Sequence, residues 1–281
     1  MKHLQFRWTF VFGGLVTMFF LLCAVVSLIW TPYDPNFINV DARFSGMGSP
    51  GHLLGTDTVG RDLFSALLVG SRLSIALGCL TAALSVFLGA VIAFIAVGSN
   101  HFVDELLMRL SDVVMAIPGV IVALVVASTI GASATSTVIV LSIFFAPIIG
   151  RVVRSAVMPI LNEEYVLAAR QYGRGTTFIL FKHVLPNISS LLVVQFSLYT
   201  ASSVLAESGL SYLGVGIGRP QLSWGTLLKE AQEMVGPGSS LMLWPASVIM
   251  FFVLGLNLLG DGLRDAIDPK LRKIREADQV A

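Results

Sequence analysis

Five stretches of the chain carry no charged residue: Trp8–Trp30, Leu73–Asn100, Val113–Gly150, Val184–Ala206 and Met234–Gly260. A helix that crosses a bilayer needs about 20 mostly apolar residues, because its backbone groups must pair within the segment. All five qualify. The third is too long for one span, and Gly131-Ala-Ser-Ala-Thr-Ser136 in its middle is a small, polar break of turn character. The pattern predicts an all-α membrane protein with six transmembrane helices.

One polar insert interrupts this plan, between the fourth and fifth predicted spans: "EYVLAARQYGRGTTFILFKHVLPN", Glu164 to Asn187. Asn162 suits an N-cap, Glu163 and Glu164 fall in the first turn where the helix dipole favours acids, and Gly173 suits the stop. A short helix is predicted over Glu163–Tyr172. Thr176 or Thr177 can cap a second, Phe178–Leu185, which Pro186 should not prolong, giving a helix-turn-helix. Ala168 and Ala169 leave the first helix open to close approach, and Tyr165 and Tyr172 offer rigid amphipathic anchors. Two readings fit these residues equally: a docking surface for a partner, or a helix pair resting on lipid headgroups.

Charge orients the spans. With both termini on one side, the loops on that side hold 13 of the 18 Lys and Arg residues and the opposite loops hold five. The positive-inside rule then places the termini and the polar insert in the cytoplasm. Two substantial loops, about Thr31–Arg72 and Leu210–Glu233, face outward and are rich in Gly and Pro. Asp112 and Glu207 stand at the edges of their uncharged runs, where reaching water is easy, and are expected at the interface. Pro118 and Pro147 fall inside the third and fourth predicted spans, as static kinks or as points of flexure.

Composition agrees: of 281 residues, 55% are hydrophobic and 12% charged, against about 25% charged in soluble domains. The net charge of +1 speaks against a nucleic-acid partner. Cys23 and Cys79 lie in apolar runs without metal-ligand spacing. Trp8–Trp30 is too long for a cleaved signal and reads as a retained anchor.

The pattern Glu-Tyr-Val-x-Ala-Ala-Arg-x-x-Gly, Glu164–Gly173, followed by His-Val-Leu-Pro-Asn, His183–Asn187, resembles the "EAA" loop of binding-protein-dependent ABC importer permeases. "LLGTDTVGRDLFSALLVGSRLSI", Leu53–Ile75, resembles the external signature of the C-type subunit of dipeptide, oligopeptide and nickel importers. "AESGLSYLGVGIGRPQLSWG", Ala206–Gly225, and "NLLGDGLRDAIDP", Asn257–Pro269, extend the likeness over nearly the whole chain. Leu167 departs from it, standing where the family usually has Glu.

The resemblance implies a type I permease fold with a cytoplasmic coupling helix. It implies contact with the ATPase through Glu163, Glu164, Tyr165, Ala168, Ala169, Tyr172, Gly173 and Arg174, and an external signature loop carrying Gly55, Asp57, Gly60, Arg61 and Asp62. By resemblance Asp57, Arg61 and Asp62 either brace that loop through ion pairs, the favoured reading, or meet the receptor. The implied partners are a homologous sister permease, two ATP-binding cassette subunits, an extracytoplasmic solute-binding protein, membrane lipid and a peptide substrate. The chain divides into an N-terminal helix and loop (1–72), a permease core of five helices (73–269) and a cytoplasmic tail (270–281).

No Gly-Lys pair occurs, so no P-loop can hold ATP phosphates, and Gly214–Gly218 lacks a dinucleotide spacing. The chain is expected to bind no cofactor and to be no enzyme, with ATP bound by partner subunits. The absence of His from every predicted span favours short peptides over nickel as substrate, although a metal held in a chelate would escape that argument. An ion-coupled secondary transporter would need midplane charges or inverted repeats, which the sequence does not display.

Overall fold

The computed structural model describes residues 2–233 and 239–267. The predicted tail 270–281, Pro269 and the start of the last apolar run at Met234 lie outside the described residues. Ten α-helices and no strand occur among them: α1 (Lys2–Ile29), α2 (Leu63–Gly98), α3 (His101–Ala116), α4 (Gly119–Ile130), α5 (Ala134–Ile160), α6 (Glu164–Gln171), α7 (Thr176–Ile179), α8 (Leu185–Tyr212), α9 (Trp224–Glu233) and α10 (Leu243–Ile267).

Five of the predicted spans are single helices long and apolar enough to cross a bilayer: Trp8–Ile29, α2, α5, the continuous run Thr176–Tyr212, and Leu243–Ala266. The third predicted span is different. Its residues form the last turn of α3, which starts twelve positions earlier at His101, and α4, and the two helices are bent through 80°. Pro118 has no N–H and crowds the residue before it, so Ile117 turns extended (φ −91°, ψ 126°) and the helix breaks there. With only 12 residues, α4 is roughly 18 Å long, short of the ~30 Å hydrocarbon core. The charged side chains of α3 are held by ion pairs. Asp104 takes two bonds from Arg154 of α5, at 2.7 and 2.5 Å, and the exposed Asp112 pairs with Arg151.

The turn read at Gly131–Ser136 is present. Gly131 has φ 95°, and Ser133 caps α5 in a reciprocal pair with Ser136.

The second span begins ten residues before the predicted Leu73, so Arg72 lies within a helix rather than in a loop. Two contacts permit this. Asp62 caps the new start, its Oδ2 accepting from the Ser65 amide at 2.8 Å and hydroxyl at 2.6 Å, and Arg72 Nε donates to Ser27 Oγ of α1 at 2.7 Å.

Small residues let the helices meet closely, as membrane packing requires. A Cβ on Gly78 would lie 2.5 Å from Val204 of α8, and one on Gly89 2.8 Å from Ile149 of α5. Four apolar clusters occur among the described residues, two of them large. The first joins α1, α2, α8, α9 and α10 around Phe20, Trp224 and Phe252, whose rings meet edge-on at 5.3–5.8 Å. The second joins Ile149, Val153 and Val157 of α5 to Val166 of α6 and to Ile179, Val184 and Ile188. These cores tie a loop-bearing face at one end of the bundle to a face carrying α6 at the other.

Candidate functional site

On the α6 face, the helix is one residue shorter at each end than predicted. Its N-cap is Glu163, which makes no side-chain cap bond, while the Asn162 amide instead donates to Met158 O at 3.3 Å. Asn162 is thus turned back onto α5 and caps nothing in α6. The other end closes as the glycine suggests: Gly173 (φ 77°) donates to Arg170 O at 2.9 Å and Arg174 N donates to Ala169 O at 3.1 Å. That six-to-one and five-to-two pairing satisfies the last carbonyls of the helix.

Only Val166 of α6 is buried, set among Val157, Leu161 and Val184. Glu163, Glu164, Tyr165, Tyr172, Gly173 and Arg174 are exposed, and Ala168 and Ala169 half-buried. Tyr172 is 86% exposed, far more than packing would leave an aromatic side chain. Tyr165 serves partly as an internal tie. Its hydroxyl accepts from Asn187 Nδ2 at 3.1 Å and its ring lies 5.7 Å from that of His183, while the Arg174 guanidinium sits 4.8 Å over Phe178.

The second predicted helix, Phe178–Leu185, is not separate. Helix begins at Thr176 behind Gly175, which caps in place of either threonine, passes through a π-turn at Leu180–Val184, and continues as α8. Pro186 lacks the N–H that an α-turn requires, and the wider turn before it, closed by Leu185 N to Leu180 O, absorbs the missing bond. The fifth span therefore starts eight residues before the predicted Val184 and ends six after Ala206.

On the opposite face, the loop between α1 and α2 is held by its own acids. Asp57 Oδ1 accepts from the Val59 and Arg61 amides at 2.9 and 2.8 Å, and Arg61 lies 3.8 Å from Asp57. While Oδ2 of Asp62 caps α2, its Oδ1 meets His52 Nδ1 at 3.0 Å. Gly55 (φ 85°) and Gly60 (φ 80°) admit no side chain, since a Cβ would drive into the carbonyls of Ser45 and Asn39. Asp62→Ala is expected to cost about 1 kcal/mol more than Asp62→Asn, which keeps a capping oxygen, when thermal unfolding is followed in detergent.

The second loop, predicted over Leu210–Glu233, contains α9 and is clamped to the first. Arg219 binds Glu230 through two bonds, 2.6 and 2.8 Å, and reaches Asn36 Oδ1 at 2.8 Å. Beneath it lies Glu207, which contradicts the interfacial expectation by being 1% exposed. Its Oε1 accepts from the hydroxyls of Ser211 and Ser223, both at 2.8 Å, and its Oε2 has no partner. Sequence reasoning misplaced Glu207 and missed Arg219 and Trp224, whose partners Ser223, Asn36, Leu67 and Ser74 lie 16 to 183 positions away along the chain.

Residues 63–273 match the protein family described as binding-protein-dependent transport system inner membrane component. The chain belongs to this family. It is a multi-pass permease subunit of an ABC importer. The permease is 37% identical over 266 residues to the di/tripeptide transport system permease protein of Pseudomonas aeruginosa, covering 92% of this chain and 88% of that one. It is 38% identical over 260 residues to a putative peptide permease of Brucella suis, covering 92% and 86%. To the glutathione transport system permease of Pectobacterium atrosepticum it is 35% identical over 263 residues, covering 93% and 87%. Its fold is similar to that of a methionine ABC transporter solved in inward-facing conformations, with a TM-score of 0.59 at 17% identity, over 72% of the permease and 96% of that chain.

Proposed function

We propose that this permease passes short peptides inward across the cytoplasmic membrane, with the α6 face and both termini in the cytoplasm. Relatives named for di/tripeptide and glutathione transport support the substrate class. In this reading α6 seats in an ATP-binding cassette subunit, and a homologous sister permease with its own ATPase completes the assembly. A solute-binding protein delivers peptide to the loop face. ATP is bound by the ATPases, and this chain holds no cofactor and does no chemistry. Closure of the ATPases draws the α6 helices together and opens the pathway outward; hydrolysis returns it inward.

The observation that carries the docking role is the asymmetry of α6. Val166 is its one buried residue and Tyr165 ties it to Asn187, while its acids, Tyr172 and the Gly173 turn are exposed. Gly173 is needed for its backbone alone, since a Cβ there meets nothing within 4 Å. A β-branched residue in that left-handed conformation costs about 1–2 kcal/mol, which weakens a docked state about tenfold. Gly173→Val is expected to reduce ATP-driven uptake in proteoliposomes about tenfold while the subunit stays in the membrane. Gly173→Asn, which tolerates the conformation, should stay near wild type. Equal uptake by wild type and Gly173→Val would remove the docking role.

A further inference from the structure

The elbow between α3 and α4 leaves backbone unpaired. Helix ends carry free carbonyls and amides, and here the carbonyls of Met115, Ala116 and Ile117 and the amides of Gly119 and Val120 have no hydrogen-bond partner among the described residues. Ala116, Ile117, Pro118 and Val120 are exposed. The elbow also lies deep. A Cβ on Gly119 would stand 2.9 Å from the Phe144 ring of α5, and Phe144 is about 15 Å along that helix from Ala134 and about 24 Å from Ile160. Since α5 is roughly 40 Å long, it passes a ~30 Å hydrocarbon core by about 5 Å at each end, which leaves the elbow well inside the core.

Charge stands at hydrocarbon depth too. Asp112, one turn before the elbow, pairs with Arg151 of α5, which is about 26 Å from Ala134 and about 14 Å from Ile160. The two side chains are 61% and 39% exposed, so the pair is open on its outer side. Broken backbone and exposed charge persist at such depth only inside protein or against a water-filled cavity, which excludes lipid as the neighbour. A sister helix laid across the elbow would have to take both charges out of water and find partners for five backbone groups. Water meets all of them at once. The pair also suits a zwitterionic peptide, whose ammonium and carboxylate each need a charged partner of opposite sign.

We propose that the α3/α4 elbow is a wall of the water-filled translocation pathway, where Asp112 receives the ammonium and Arg151 the carboxylate as the ends of a short peptide pass. The role of the pair rests on the peptide reading above; the wall does not.

The assembled importer in proteoliposomes tests the two parts separately. With Cys23 and Cys79 replaced by Ala, Ile117→Cys and Val120→Cys each report on the elbow. A charged, membrane-impermeant maleimide, added from the side that carries the ATPases, is expected to alkylate both. The rates should differ about fivefold or more between the nucleotide-free and the vanadate-trapped assembly, because an alternating pathway changes the side to which it opens. Reaction with N-ethylmaleimide only, as for a lipid-facing elbow, with neither reagent, as for a seam against the sister subunit, or at equal rates in both states, as for a static crevice, overturns the wall. Uptake of radiolabelled trialanine delivered by the binding protein tests the rest. Asp112→Asn and Arg151→Gln are each expected to cut it about fivefold or more while the unfolding temperature stays the same, since an exposed pair adds little stability. Uptake equal to an active wild type in either variant overturns the role of the pair. No uptake by wild type removes the peptide reading and that role with it, and the wall is then judged by the labelling alone.

Discussion

Trp224→Ala will destabilise the permease by about 3–5 kcal/mol, the range for removing a fully buried aromatic side chain from a packed core. Trp224 is completely buried and touches three other helices, α1, α2 and α10. Its ring meets Phe20 of α1 and Phe252 of α10, its Nε1 donates to Leu67 O of α2 at 3.1 Å, and its amide donates to Ser74 Oγ at 2.9 Å. Alanine keeps only the last of these. Thermal unfolding of the detergent-solubilised assembly measures the effect. Trp224→Phe, which retains most of the ring contacts but leaves the Leu67 carbonyl unpaired, should cost only about 1–3 kcal/mol. A Trp224→Ala protein as stable as wild type would mean that α9 adds nothing to the core.

Glu207→Ala is the second large effect, and its companion Glu207→Gln gives the reason. The carboxyl oxygen Oε1 takes both the Ser211 and the Ser223 hydroxyls, and those serines in turn accept from the Ile217 and Thr226 amides. One side chain therefore organises the whole connector from α8 to α9. Removing it strands two buried hydroxyls, at about 1–3 kcal/mol each, and opens a void. Glutamine supplies a carbonyl oxygen in the same place. Glu207→Ala is expected to lose most tripeptide uptake and unfold at lower temperature, with Glu207→Gln close to wild type in both. If Gln fails as completely as Ala, the two hydroxyl bonds are not what Glu207 contributes.

The spans were legible because a bilayer imposes its demand residue by residue: an uncharged run of sufficient length has few other destinations. Gly131 and Gly173 were legible for a related reason, since each marks a backbone turn that its own residue type makes easy. What the linear pattern misjudged was charge that finds a distant partner. Arg72 reads as a loop residue until Ser27, 45 positions earlier, is seen to bind it, and Glu207 reads as interfacial until Ser223 comes round on the connector. Helix continuity was misjudged where one exception cancels another. Pro186 predicts an end, but the π-turn before it supplies the slack, and no residue in Leu180–Val184 advertises that turn. Six of the eight residues expected to meet a partner around α6 are exposed, with Ala168 and Ala169 half-buried, whereas the internal tie through Tyr165, His183 and Asn187 required the fold.

From Leu185 to Tyr212, α8 runs 28 residues without interruption, roughly 42 Å. Its root is tied to α6 through Tyr165, and its far end carries the Glu207 connector. A stiff rod of that length has a lever arm. A tilt of about 5° at the root displaces the tip by about 4 Å, most of a helical turn, so the two faces of the permease cannot keep separate time. An event that rocks one is registered at the other within the same motion.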